Sequence, residues 1–299
     1  MAETDKESIS RIFRNIQDRI CHELVKADGR GEFHEDQWRR PGGGGGRTRI
    51  MRHGNIIEKG GVNFSAVHGK TPEKILKSFG LTEGEFFATG VSIVIHPENP
   101  MVPIIHMNIR YFEMSTGTFW FGGGIDLTPH YVDEADARYF HGRLKAVCDK
   151  HHENYYPEFK QWADDYFYIK HRNETRGIGG IFFDQLGEDK GFTKADRLDF
   201  VKDVGLAFAP IYTHFMNKNS RMPYDGREKE WQMLRRGRYV EFNLVYDRGT
   251  RFGLETNGRT ESILMSLPAQ AGWEYDFEPT EGSKEAKTLE LLKKGVSWV

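Results

Sequence analysis

Cysteine is scarce. The 299 residues include two, Cys21 and Cys148, too few for a disulfide framework and consistent with a reducing compartment. Neither has the spaced partner that a zinc site needs. An excess of charge of one sign is also missing. Lys and Arg number 42 and Asp and Glu 44, for a net charge of −2, which argues against a nucleic-acid partner held by bulk charge. Long hydrophobic runs are absent, and no stretch approaches the roughly 20 apolar residues of a membrane span. The hydrophobic fraction is 38% and the mean hydropathy −0.64, as expected of a soluble chain. The opening MAETDKESIS is polar and acidic, unlike a signal or transit peptide, so a cytoplasmic location is expected. The sequons at Asn63 and Asn173 then read as chance matches.

Glycine is abundant at 33 residues and aromatics reach 13%, a composition of ordered rather than disordered chains. A chain of this length buries about 75% of its unfolded surface without staples. The pattern opens with a helix. Ile9, Phe13, Ile16, Ile20 and Leu24 share one face, Thr4 and Glu7 match a capping box, and Asp28-Gly29 marks the end. Residues 29–47 read as a mobile loop ending in the run Gly42 to Gly46. Val91–His96 and Ile104–Phe112 alternate as strands joined by a short hairpin connection. Thr118–Ile125 is a third strand and Ile178–Phe183 a short apolar one. Helical stripes run through Ala137–Val147, Phe159–Ile169 and Phe200–Phe215, and residues 226–236, 260–267 and 283–294 also read as helical. Tyr239–Tyr246 alternates as a further strand. Hairpin-joined strands with grouped helices and no linker predict an α+β (mixed α/β) fold around a mainly antiparallel sheet.

The glycine run lacks the Lys-Ser/Thr ending of a phosphate loop, so a flexible loop is its plain reading. The strand at 104–112 says more. Its polar face carries His106, Asn108 and Arg110 at period two, with Ser92 and His96 beside them if the neighbouring strand faces the same way. Such a face could simply meet water. It could equally bind a carboxylate, because Arg offers a planar fork, Asn a donor and His a group that titrates near neutrality. Asp126, after three glycines, is either a turn cap or a carboxylate facing a cleft. Twelve histidines raise a metal reading, and His96-Pro97-Glu98 and His34-Glu35-Asp36 each resemble half of a two-histidine, one-carboxylate iron site, as chance alone would produce among so many such residues. The basic runs at 170–172 and 235–238 read as solvated helix ends.

Longer stretches resemble one family. RPGGGGGRTRI, EKGGVNFSAVHG, FGGGIDLTPHY, DDYFYIKHRNETRGIGGIFFDQL, LRRGRYVEFNLVYDRGTRFGLETNGRTESILMSLP and WEYDFEP are similar to oxygen-dependent coproporphyrinogen III oxidases, from about residue 8 to the C-terminus. The resemblance implies a single domain over residues 1–299, a large flat antiparallel sheet covered by helices on both faces, and a homodimer formed through the C-terminal region. It implies oxidative decarboxylation of two propionates of coproporphyrinogen III to vinyls, giving protoporphyrinogen IX in haem synthesis. Dioxygen is then the electron acceptor. No organic cofactor is expected, and a metal requirement is disputed for the family. By motif, Ser92, Asn108, Ile109, Arg110, Asn257, Gly258 and Arg259 fall where substrate is bound. His106 matches a proton donor, Arg110 a catalytic carboxylate grip, and Asp126 a carboxylate that holds the pyrrole NH groups. His96, His106, His141 and His171 match positions considered for metal. Asn257 departs from the small residue common there in the family. The glycine run is expected to close over the ring as a lid. Two rival readings are a non-haem iron oxygenase built on His96, Glu98 and a second histidine, and a non-catalytic tetrapyrrole binder.

Overall fold

The computed structural model describes residues 4–78, 80, 82–189, 191–255 and 258–299. Its elements run in the order α1 (Lys6–Asp28), β1 (His34–Arg39), β2 (Gly44–Arg52), β3 (Ile57–Lys70), α2 (Glu73–Ser78), β4 (Glu85–Pro97), β5 (Ile104–Met114) and β6 (Phe119–Thr128). There follow α3 (Glu134–Asp149), α4 (Tyr155–Tyr166), β7 (Tyr168–Ile169), β8 (Glu174–Thr175) and β9 (Gly180–Leu186). The chain closes with α5 (Lys194–Asn219), α6 (Gly226–Val245), α7 (Arg248–Glu255), α8 (Thr260–Leu264) and α9 (Lys284–Leu291). Among the described residues, seven strands form one sheet in the order β1-β2-β3-β4-β5-β6-β9, and every neighbouring pair is antiparallel.

Alternation along the strands sets the layers. Val91, Ile93, Ile105, Met107 and Ile109 point to one face and are buried with Ile9, Phe13 and Ile16 of α1 and Phe208 of α5. On the other face, Tyr239 of α6 packs against Val94 and Ile104. Helices therefore cover both faces of the sheet, as the family resemblance implies. The first helix carries its apolar stripe inward, but its cap is Asp5, whose side chain accepts from the Ser8 NH, rather than Thr4. Gly29 ends the helix in a left-handed conformation, with φ of 78°. Asp28 then accepts the backbone NH groups of Gly31, Asn55, Ile56 and Ile57, tying the helix end to the β2–β3 turn.

Several expectations are corrected. The loop at 29–47 contains the β1–β2 hairpin, and Gly44 to Gly46 are paired into β2. The glycines there serve close approach rather than looseness. A Cβ on Gly46 would lie 2.3 Å from the Trp38 ring and 2.5 Å from the Phe64 carbonyl. The run is accordingly no unstructured loop; Gly42 and Gly43 stand at the hairpin turn, where Arg40 and Pro41 reach the cleft described below. Tyr239–Tyr246 is helix: the capping box Asp225–Glu228 starts α6 and nothing interrupts it before Tyr246. The apparent alternation there is incidental, since Leu244 is exposed while Tyr239 and Phe242, three apart, are buried. Strand β3 was hidden by Gly60 and Gly61, which break its alternation. The basic run at 235–238 is no solvated end. Arg235 and Arg236 are buried, paired with Glu174 and Glu58.

Candidate active site

The face of the sheet opposite α1 forms the floor of a cleft of about 1450 Å³, walled by α7, α8 and the β1–β2 hairpin. This exceeds the roughly 300–1,000 Å³ of ordinary small-molecule pockets. Register builds the floor in rows. Val94, His106 and Asp126 stand opposite one another on β4, β5 and β6, then Ser92, Asn108 and Gly124, then Gly90, Arg110 and Gly122. Beyond them Ala88, Phe112 and Trp120 form an apolar row, with the Phe112 and Trp120 rings stacked at 4.3 Å. Tyr166 and Phe182 stack at 4.2 Å on the far side. The glycines between these aromatic walls leave a low floor on which a broad flat ring can lie.

Arg110 uses that low floor. Its guanidinium crosses Gly122 to reach Asp184 of β9 at 2.9 Å, and also donates to Asn108 Oδ1 at 3.2 Å. A Cβ at Gly122 would lie 2.5 Å from Asp184 Oδ1 and 2.8 Å from Arg110 Nε. Across the cleft, Arg259 caps the start of α8. It donates to Ser262 Oγ at 3.0 Å, pairs with Asp36 of β1, and lies over the Trp38 ring at 6.0 Å. Among the described residues, seven arginines but only three carboxylates line the cleft, so a chain of net charge −2 concentrates positive charge at one place.

His106 and Asp126 form a unit with Arg176. Asp126 Oδ1 accepts from His106 Nδ1 at 2.8 Å, which leaves Nε2 as the ring nitrogen available to a ligand. Arg176 Nη2 donates to both Asp126 oxygens at 2.8 Å, and Nε to Oδ2 at 3.3 Å. Burial pushes the Asp126 carboxyl up, but Arg176 and His106 together hold it below the usual aspartate range. Burial likewise works against the charge on Arg176, and Asp126, with Tyr239 and Asp247, outweighs it. Phe167, Tyr239 and Phe242 surround the guanidinium at 4.4–4.7 Å.

Of the residues singled out from the sequence, Ser92, His106, Asn108, Arg110, Gly258 and Arg259 line the cleft. The Ile109 side chain is buried on the opposite face, so only its backbone borders the floor. Asp126 sits behind His106, with its oxygens already engaged. Asn257 lies outside the described residues. The four histidines considered for metal do not gather. His96 is buried and bonded to the Ser266 carbonyl, and burial with nearby Arg236 pushes its pKa well down. His141 uses both ring nitrogens, on Tyr156 and the Ile178 carbonyl, and burial lowers it to about 4. His171 bonds Tyr246 and Glu241. Glu98, the supposed iron ligand beside His96, is paired with Lys229 at 2.7 Å. Among the described residues, no group of three or more His, Cys, Asp or Glu side chains is placed to hold a metal.

Arg176 and Asp184 are not singled out by the sequence, and Asp36 is marked there only within the metal-like triplet His34-Glu35-Asp36, not as a partner of Arg259. Asp184 had a signal: it shares the face of Gly180 and Phe182 at period two, one residue beyond the strand read from the sequence. Nothing local signals the pairing of Asp36, since its partner Arg259 is 223 residues away.

Fold and cleft together define a broad, arginine-rich pocket over a glycine floor, on one face of an antiparallel sheet. The model of the coproporphyrinogen III oxidase family matches residues 8–298. Oxygen-dependent coproporphyrinogen-III oxidase of Drosophila melanogaster is 48% identical over 313 residues, covering 99% of this chain and 80% of the relative. The chloroplastic oxygen-dependent coproporphyrinogen-III oxidases of Glycine max and Nicotiana tabacum are 47% and 46% identical, covering 97% and 96% of this chain and 78% and 75% of their own lengths. The chain belongs to the coproporphyrinogen III oxidase family.

Proposed function

We propose that the chain catalyses the oxygen-dependent oxidative decarboxylation of two propionates of coproporphyrinogen III to vinyls, yielding protoporphyrinogen IX. The observation that carries this reading is the placing of Arg110 and Arg259 on one glycine-floored cleft, each able to take a propionate. A carboxylate held at each end presents the ring to dioxygen in a fixed pose, and such positioning is worth several kcal/mol. At each reacting propionate, the carbon next to the pyrrole loses a hydrogen and two electrons to dioxygen. The pair of the breaking C–CO2 bond becomes the vinyl double bond, carbon dioxide leaves, and the reduced oxygen takes one further proton to become hydrogen peroxide. His106 Nε2 is assigned as the source of that proton. Ser92 and Asn108, one row from His106, are assigned to hydrogen bonds with the bound propionate. Asp126 is assigned to orienting His106, because its oxygens are already taken up by His106 and Arg176. Direct contact with the pyrrole NH groups would require Arg176 to withdraw.

Neither organic cofactor nor metal is included in this reading, and dioxygen is a co-substrate. The support is that His141 and His171 have both ring nitrogens committed within the protein. We read residues 1–299 as one domain around this cleft. A homodimer through the C-terminal region is supported by the exposed Trp273 and Tyr275. Cytoplasmic placement is supported by two cysteines left as free thiols; no helix among the described residues is long and apolar enough to cross a membrane. The deciding experiment incubates exhaustively chelated protein with coproporphyrinogen III, with and without air, and follows product mass. Loss of both carboxyl groups only in air supports the reading. Binding without turnover, or activity restored by iron alone, overturns it.

A further inference from the structure

We propose that Asp184 and Asp36 are exchange partners, internal carboxylates that pair with Arg110 and Arg259 and give way to the substrate's propionates. The proposal rests on the reading above that these arginines grip carboxylates. Its basis is a pattern repeated at both ends of the cleft. Each arginine has one neutral acceptor and one acid: Asn108 and Asp184 for Arg110, Ser262 and Asp36 for Arg259. When the acid swings away, the neutral acceptor keeps the guanidinium in place. Asp184 Oδ1 also accepts the Gln185 backbone NH at 2.9 Å, a neutral partner beside Arg110.

Exposure separates these pairs from the fixed one. Arg110 and Asp184 are 38% and 32% exposed, and Arg259 and Asp36 are 31% and 44% exposed. Arg176 and Asp126 are both 2% exposed. Half-exposed ion pairs are weak because water competes for both partners, so exchanging one carboxylate for another costs little. Breaking the buried pair would strand a charge. Exchange also bears on direction. The substrate brings four carboxylates and the product leaves with two, so the internal acids regain their arginines as carboxyl groups are lost. That return favours release of the product over the starting ring.

The test measures binding of coproporphyrin III, the oxidised ring with the same four carboxylates, by quenching of its fluorescence. Asp184→Asn and Asp36→Asn keep shape and remove the competing charge. Each is expected to tighten binding about five-fold, and the pair together about 25-fold, because the sites are separate. Protoporphyrin, with two carboxylates, tightens as well and becomes a stronger product inhibitor. Glu255→Gln is the control for bulk charge: it lines the same cleft but contacts neither arginine. Equal tightening in that variant, or unchanged or weaker binding in the two asparagine variants, overturns the exchange. Arg110→Gln and Arg259→Gln test the underlying reading separately. If these two leave binding unchanged, the arginines do not grip carboxylates at all.

Discussion

His106 Nδ1 meets Asp126 Oδ1 at 2.8 Å across strands β5 and β6, and the same oxygen accepts from Arg176 Nη2 at 2.8 Å. One buried carboxylate thus anchors both a candidate proton donor and a buried cation. Arg176→Met should cost about 3–5 kcal/mol of stability, because it strands the Asp126 charge. Adding Asp126→Asn should return most of that loss in urea unfolding while turnover stays low, since His106 has lost its charged anchor. A single variant as stable as the parent would mean that the pair is not structurally coupled.

Gly122→Ala places a methyl group between Arg110 and Asp184. The guanidinium must lift from the floor, and KM for coproporphyrinogen III should rise about ten-fold with little change in far-ultraviolet circular dichroism. An unchanged KM would show that Arg110 does not need its place across the glycine.

Acid should destabilise the fold in two windows. His141 drops from an ordinary value near 6.5 to about 4 in the folded chain, so between those values the unfolded chain takes up a proton that the folded chain refuses. Stability therefore falls as pH drops through this window, by about 3 kcal/mol for this group alone. His96 and His130, both buried and pushed down, add to the same window, so His141→Gln should lessen, without abolishing, the dependence of Tm on pH between 6.5 and 4. The Asp126 and Asp28 carboxyls are held below the ordinary range despite burial, so their contribution is complete above pH about 4 and is lost on further acidification. A profile that His141→Gln leaves equally steep would place the upper window on other groups.

Asp28→Ala removes the acceptor for four backbone NH groups at the end of α1. Leaving buried donors unpaired costs about 1–3 kcal/mol each, offset where water enters. A net loss of about 3 kcal/mol or more is expected from chemical unfolding, and hydrogen exchange of the Ile56 and Ile57 amides should accelerate. Unaltered exchange there would show that the turn holds without the carboxylate.

The sheet face was legible because alternation is a local property. His106, Asn108 and Arg110 stand two residues apart, and their common direction follows from strand geometry alone. Nothing local marked what each would touch. Asp36 meets Arg259 only when the β1–β2 hairpin has folded over α8. The misreading of Tyr239–Tyr246 has the opposite cause. Its alternation was real in the letters, but the helix begun at the Asp225 cap overrode it, and Tyr239 turned inward to stack on Arg176. The glycine run is ambiguous in the letters because glycine permits either looseness or close contact, and only Trp38 lying over Gly46 decides between them.

Strand β1 is also the outer border of the sheet, paired among the described residues with β2 alone. An open border of unpaired backbone invites other chains to add to it, and charge is the usual deterrent. His34, Glu35, Asp36 and Arg39 supply that deterrent on the strand that delivers Asp36 to Arg259. The guard on the sheet's border and the partner of Arg259 thus fall on the same six-residue strand. Replacing the acids of β1 with apolar residues would loosen the hold on Arg259 and at the same time make the border adhesive, so the two properties constrain the same short segment.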